Sequence, residues 1–251
     1  MNGGTRLNRK YIGIPVALIF MVAFVAISLL INQSLHGTTW FLFSSGLRIV
    51  FGIAILYVSW RIYGKTIPEI LNLKNSRIAI ISGIGFLVYA LYYAMALVVG
   101  TESITGLTAG LLISKVILQQ IATGFYEELN YRFLICEGYF HGERTIKRRL
   151  LYAVLSFLIF GALHIINGWD TYRFLLTGTI GFAFAAMFLC SGNIVIPMIV
   201  HAVYDMIANL EGFVTWRQGG ASEVINSAFY IIIGVMVVLS VYMLTRKQKS
   251  N

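Results

Sequence analysis

GFYEELNYRF, residues Gly124–Phe133, sets two adjacent carboxylates and an arginine inside a chain whose other long stretches are almost uniformly apolar. Whether Glu127, Glu128 and Arg132 lie on a wetted surface or at membrane depth decides the fold. Composition decides it first: of 251 residues, 58% are hydrophobic and only 12% charged. Soluble domains have an apolar share nearer ~45–50%. No polar stretch is long enough to build a separate globular core, so residues 1–251 read as a single integral membrane domain, all-α.

Crossing a hydrocarbon layer of ~30 Å takes about 20 apolar residues. Candidate runs are Ile12 to Ile31, Trp40 to Trp60, Ile78 to Gly100, Ile104 to Phe140, Leu150 to Ile166, Tyr172 to Cys190, Ile194 to Leu210 and Val224 to Leu244. They predict a polytopic bundle of about eight transmembrane helices. The first run follows Arg6, Arg9 and Lys10 as a signal peptide would, but it exceeds the usual ~7–15-residue apolar region and no A-x-A site follows. It is expected to remain as a span.

The formal charge of +9 invites a nucleic-acid partner only if the basic residues form one patch. They fall instead between the apolar runs. Placing both termini in the cytoplasm puts Arg6, Arg9, Lys10, Arg61, Lys65, Lys74, Arg77, Arg144, Lys147, Arg148, Arg149, Arg246, Lys247 and Lys249 on the inner side. Only Arg173 and Arg217 then lie outside, the asymmetry that orients membrane proteins. The lipid bilayer thus accounts for the charge, and no nucleic acid is called for. Cys136 and Cys190 form no CxxC and no disulfide framework, so free thiols are expected.

The fourth run is anomalous. As one straight helix, Ile104 to Phe140 would extend about 55 Å at ~1.5 Å per residue, well beyond the bilayer. It must tilt, kink or protrude, with Gly110 and Gly124 as the expected break points.

Ionisable groups at membrane depth are costly and mark functional sites by default. Besides EELNYR, the fifth run carries FGALH, with Phe160 four residues before His164, and the seventh carries HAVYD, with His201 four before Asp205. A spacing of four puts both members of a pair on one helix face. Counting ~1.5 Å per residue from the inner helix ends, Glu127 and Asp205 fall about 18 Å deep, His164 about 21 Å and His201 about 12 Å. Glu, His, His and Asp at a common depth are what a buried catalytic or metal site requires.

Plainer readings stand beside this one. Glu128 and Arg132 can neutralise each other as an intrahelical pair. A single histidine is more often a hydrogen-bonded core residue, and Phe160 is most simply packing. Glu127 has no intrahelical cation, however, and Asp205 coincides with two histidines. Arg48 and Lys115 read as structural, snorkelling cations or counter-ions to the two glutamates. His36 and His141 read as solvated boundary residues, and the basic loops as orientation signals.

The order EExxxR, FxxxH, then HxxxN or HxxxD, on separate helices of a multi-span protein, resembles the CAAX protease and bacteriocin-processing family, also called the ABI family. It includes the type II CAAX prenyl endopeptidase and relatives similar to lysostaphin resistance proteins. The motifs occupy about residues 123–209, within a core of about 104–210. The resemblance implies an intramembrane endopeptidase, with Glu127 and His164 activating the attacking water. It implies that His201 and Asp205 stabilise the oxyanion, with Glu128, Arg132 and Phe160 in support.

Two chemistries stay open: a metalloprotease with Zn2+ held by Glu127, His164, His201 and Asp205, or a metal-free glutamate mechanism. An ionised Asp205 would repel an oxyanion, so aspartate at this position must be protonated, orient His201 or bind a metal. The implied partner is a membrane-embedded or lipid-linked peptide or protein substrate: a CAAX tail, a pheromone or a bacteriocin precursor. The implied location is a bacterial plasma membrane. The rival readings are a proton-coupled transporter, for which no internal repeat is found, and a non-catalytic peptide-binding immunity protein.

Overall fold

The computed structural model describes residues 12–140, 144–166, 168–217 and 221–246, with side chains from 230 onward in the last stretch. Arg6, Arg9, Lys10, His141, Lys247 and Lys249, and with them the placement of the termini, lie outside the described residues. The described chain is helical apart from one two-stranded ribbon.

The elements in order are α1 (Gly13–Asn32), α2 (Gly37–Tyr63), α3 (Ile67–Ile70), α4 (Ser76–Ser82), α5 (Ile84–Gly100) and β1 (Thr101–Ile104). A long composite helix follows: α6 (Ala109–Leu111), a π-helical segment π1 (Leu112–Leu118), α7 (Gln119–Glu127), a second π segment π2 (Glu128–Leu134) and α8 (Ile135–Phe140). Then come α9 (Ile146–His164), α10 (Thr171–Ser191), α11 (Val195–Glu211), β2 (Val214–Trp216) and α12 (Ala221–Thr245).

Each of the eight apolar runs corresponds to a helical stretch. Among the described residues three helices, α1, α2 and α10, are long and apolar enough to cross a membrane, and four if α4 and α5, bent by 68° at Gly83, count as one span. By length and composition this does not confirm the expected eight. Lys147, Arg148 and Arg149 charge the first turn of α9, α11 has only 17 residues, and the long helix is divided by its π segments. Exposed large apolar side chains such as Ile19, Val22 and Leu30 on α1, and Val50 and Ile53 on α2, are the surface expected to face lipid.

The chain forms two compact units, each assembled from separate stretches: residues 1–72, 106–143 and 194–210 in one, and 73–105, 144–193 and 211–251 in the other.

In the first unit, α1, α2 and α11 pack on the composite helix. That helix begins only at Ala109, because Ile104 belongs to β1. Its excess length is handled neither at Gly110 nor by a break at Gly124. The amide of Gln119 donates to Ser114 O and that of Ile135 to Asn130 O, five residues back. Such wide turns hold more residues per length of axis than an α-helix does, and they recur at functional sites.

Gly124 serves close packing instead. A Cβ there would stand 2.6 Å from the carbonyl oxygen of Met198 and 3.3 Å from the amide of Ala202, so only glycine lets α11 approach this closely. Three residues on from each contact come Glu127 and Asp205, which the approach brings to one place. Asn130, fully buried, donates through Nδ2 to Ala17 O at 3.3 Å and ties π2 to α1.

In the second unit, α9 lies along α10, where a Cβ at Gly181 would meet Ser156 O at 2.9 Å and Phe160 Cβ at 2.7 Å. Small residues allow such close contacts between membrane helices. Asn193 donates to Lys74 O at 2.8 Å, and Asn75, at φ 57°, to Ser191 O at 3.0 Å. Arg149 is buried, and its guanidinium donates to Leu244 O and Arg246 O at the C-terminal end of α12, where carbonyls lack helical partners. Its role is thus more than the orientation signal expected of the basic loop.

β1 and β2 pair antiparallel, Thr101 opposite Trp216 and Ile104 opposite Val214, with a bulge between Thr101 and Ser103. Cys136 and Cys190 are buried and form no disulfide.

Gly124→Val should force α7 and α11 apart and cost about 1–3 kcal/mol, read as a lower Tm in detergent. Gly46→Ala, where a Cβ meets nothing within 4 Å, should leave Tm unchanged or slightly raised.

Candidate active site

In the first unit the composite helix and α11 bring Glu127, Glu128, Arg132, His201 and Asp205 into one cluster. At its centre the Nδ1 of His201 stands 2.8 Å from Glu128 Oε1. The same oxygen pairs with Arg132 Nη1 at 3.3 Å, one turn along the helix. On the other edge of the ring, Nε2 lies 3.3 Å from Asp205 Oδ2 and 4.0 Å from Glu127 Oε2. An imidazole with carboxylate oxygens at both nitrogens is either a double donor, the imidazolium, or shares its proton with a neighbouring carboxyl group.

The cluster is graded in exposure. The side chains of Glu128 and Arg132 have none, whereas those of Glu127 and Asp205 keep 19% and 22%. The inner pair is sealed and fixes the ring, while the outer carboxylates can meet water or a substrate. Glu128, read from the motif as a supporting position, holds His201 directly. Asn130 was not singled out from sequence, although a polar residue within an apolar run was the signal.

Phe160 and His164 belong to the second unit. His164 is the last residue of α9 and is exposed. The depth count places it inside a helix, but the chain turns beyond it, and Gly168 adopts φ 153°. The Nδ1 of His164 lies 2.7 Å from Phe160 O. Donation there makes Nε2 the nitrogen for proton transfer. Phe160 thus serves His164 twice, by this carbonyl and by its ring, whose centroid lies 5.0 Å from the imidazole.

The remaining polar candidates are also accounted for. Lys115 Nζ lies 5.7 Å from the centroid of Phe41. His36 precedes α2 as an exposed residue, as expected of a boundary position.

A catalytic zinc takes three protein donors at about 2.0–2.2 Å. Among the described residues no group of three or more His, Cys, Asp or Glu side chains is arranged to hold a metal ion. Nitrogen and carboxylate donors are of the right chemical type, but Nδ1 of His201 is engaged by Glu128 and the Glu127 oxygen stands 4.0 Å from Nε2.

Helices of this apolarity define an integral membrane protein, and this one carries a buried cluster of acid, base and cation. Residues 108–207 match the family described as type II CAAX prenyl endopeptidase Rce1-like, the family that the three motifs resemble. The match supports a CAAX-type intramembrane endopeptidase acting on a membrane-associated peptide. No curated protein and no solved structure matches the chain.

Glu128→Ala would leave Arg132 and His201 without their shared buried anion, and breaking such a pair costs about 3–5 kcal/mol. A large fall in Tm is expected, whereas Asp205→Asn, at the exposed edge, should cost far less.

Proposed function

We propose that the protein is an intramembrane endopeptidase that hydrolyses a peptide bond in a membrane-embedded or lipid-linked substrate. The observation that carries this reading is His201 held between Glu128 and Asp205 with Glu127 beside it, within the stretch that matches the endopeptidase family.

Glu127 is the general base. Partly exposed and beside the ring, it takes a proton from water as the oxygen adds to the scissile carbonyl carbon. His164 is the second base that the resemblance assigns, its reactive nitrogen set by the Phe160 carbonyl. The positive charge of protonated His201 stabilises the tetrahedral oxyanion in a medium where such charge counts for more than in water. When the C–N bond breaks, the proton shared by His201 and Asp205 passes to the leaving amine, and the proton that Glu127 took from water returns to the His201–Asp205 pair, which restores both groups. Asp205 thus orients and charges the histidine rather than binding the oxyanion itself, which reconciles aspartate with the chemistry.

Eight spans, cytoplasmic termini and a bacterial plasma membrane belong to this proposal, as does a substrate of CAAX, pheromone or bacteriocin-precursor type. Zn2+ dependence is decided by experiment, with the glutamate route as the proposal.

Glu127→Ala and His164→Ala should each lower cleavage of a membrane-tethered peptide by at least about 100-fold, the lower end of what general acid–base groups contribute, while the protein stays folded. Phe160→Leu, which retains the backbone carbonyl, should be milder. Retained cleavage in Glu127→Ala would remove its assigned role. Metal analysis of the active protein should find no stoichiometric zinc; stoichiometric zinc with loss of activity on chelation would replace the glutamate route.

A further inference from the structure

Arg48 lies well inside α2, a helix long and apolar enough to cross the membrane, and outside the stretch that matches the endopeptidase family. A guanidinium there stays charged, because its proton is not given up in proteins. Such a group is retained at membrane depth only with partners.

The structure supplies several of them. Arg48 donates to Ser44 Oγ and, at 3.3 Å, to Ser44 O, and its guanidinium carbon lies 4.6 Å from the centroid of the Phe24 ring. Phe24 packs on Tyr126, ring centroids 5.3 Å apart, and Tyr126 immediately precedes Glu127. One turn from Arg48, Gly52 meets the ring of Phe125, so this face of α2 is the one packed on α7. Glu127 follows Tyr126 on α7, and Asp205 shares with it the Nε2 edge of His201, at 3.3 Å for Asp205 and 4.0 Å for Glu127. Serine, a carbonyl and an aromatic face leave the guanidinium charge uncompensated, and Nε is buried without a hydrogen-bond partner. The carboxylates are what can balance it.

The charge inventory of the cluster points the same way. Glu127, Glu128 and Asp205 are three carboxylates. Arg132 and a protonated His201 are two cations, and Glu128 engages both. One negative charge is left over. A motif ending in asparagine would not carry it; this chain, which has aspartate at position 205, does.

We propose that Arg48 is a positioning residue, the cation that α2 supplies to balance Glu127 and Asp205, so that the aspartate at 205 and the arginine at 48 depend on each other. The proposal rests on the endopeptidase reading for its effect on turnover, though not for the pairing itself. Without Arg48 the repulsion between Glu127 and Asp205 would stand unbalanced in a medium that screens poorly, at a cost to the fold and to the placement of Glu127. Removing one charge from Asp205 should relieve that cost.

The test uses the full chain purified in detergent, as wild type, Arg48→Lys, Arg48→Met, Asp205→Asn and the Arg48→Met/Asp205→Asn double variant. Tm and the kinetics of cleavage of a membrane-tethered peptide are measured for each. Arg48→Met should lower Tm and cut kcat by about tenfold or more with KM within about twofold, the split expected of a group that acts on the chemical step. Arg48→Lys, which keeps the charge, should retain most of both.

The double variant should recover a large part of the Tm lost in Arg48→Met, a non-additivity that packing against Phe24 alone would not produce. Additive Tm changes, or a wild-type kcat in Arg48→Met, would overturn the proposal. Absence of cleavage in the wild type would overturn the endopeptidase reading instead, and the Tm cycle would still decide the pairing.

Discussion

The interaction on which the first unit's site depends is the sealed contact of Glu128 with His201 and Arg132. One carboxylate oxygen serves an imidazole 2.8 Å away and a guanidinium 3.3 Å away. None of the three could be buried alone, since an isolated charge in a low-dielectric interior costs several kcal/mol even after relaxation, while a pair with good geometry recovers much of that. The contact joins the composite helix to α11. It also fixes the plane of the His201 ring, and the ring in turn fixes where Asp205 and Glu127 stand.

Backbone shape makes that contact available. The absence of a side chain at Gly124 brings α11 near enough, and the wide π turn starting at Glu128 carries the motif. Neither feature is chemistry in itself, but both set which carboxylate lies inside and which keeps access to solvent. The result separates two adjacent glutamates of identical chemistry into a sealed anchor and a partly exposed neighbour. Under the proposed mechanism the same carboxylate chemistry holds a ring at one position and takes a proton from water at the next.

Much of this was legible in the sequence, for reasons that can be assigned residue by residue. Apolar runs revealed the helices because every span must satisfy its backbone internally. The four-residue spacing correctly paired Glu128 with Arg132 and His201 with Asp205, since α11 and this part of the composite helix keep those residues on shared faces. The π segments were not legible: a run of Leu, Ile and Val has the same composition in either helix type, so the excess length suggested breaks at Gly110 and Gly124 that are absent. Arg149 read as one more basic loop residue, because nothing local to it announces that the end of a helix almost a hundred residues later needs donors. For Glu127 and Glu128, adjacency itself hid the assignment, and only the position of α11 shows which of them meets His201.

The central claim is that the cluster hydrolyses a peptide bond with water activated at Glu127. Its most direct test is turnover of a membrane-tethered peptide in 18O-labelled water, with mass analysis of both fragments. The account predicts one labelled oxygen in the new carboxylate of the fragment that retains the scissile carbonyl, none incorporated by hydrolysis in the other, and no labelled product from Glu127→Gln. Product without label at that carboxylate, or labelled product formed equally by Glu127→Gln, would contradict it.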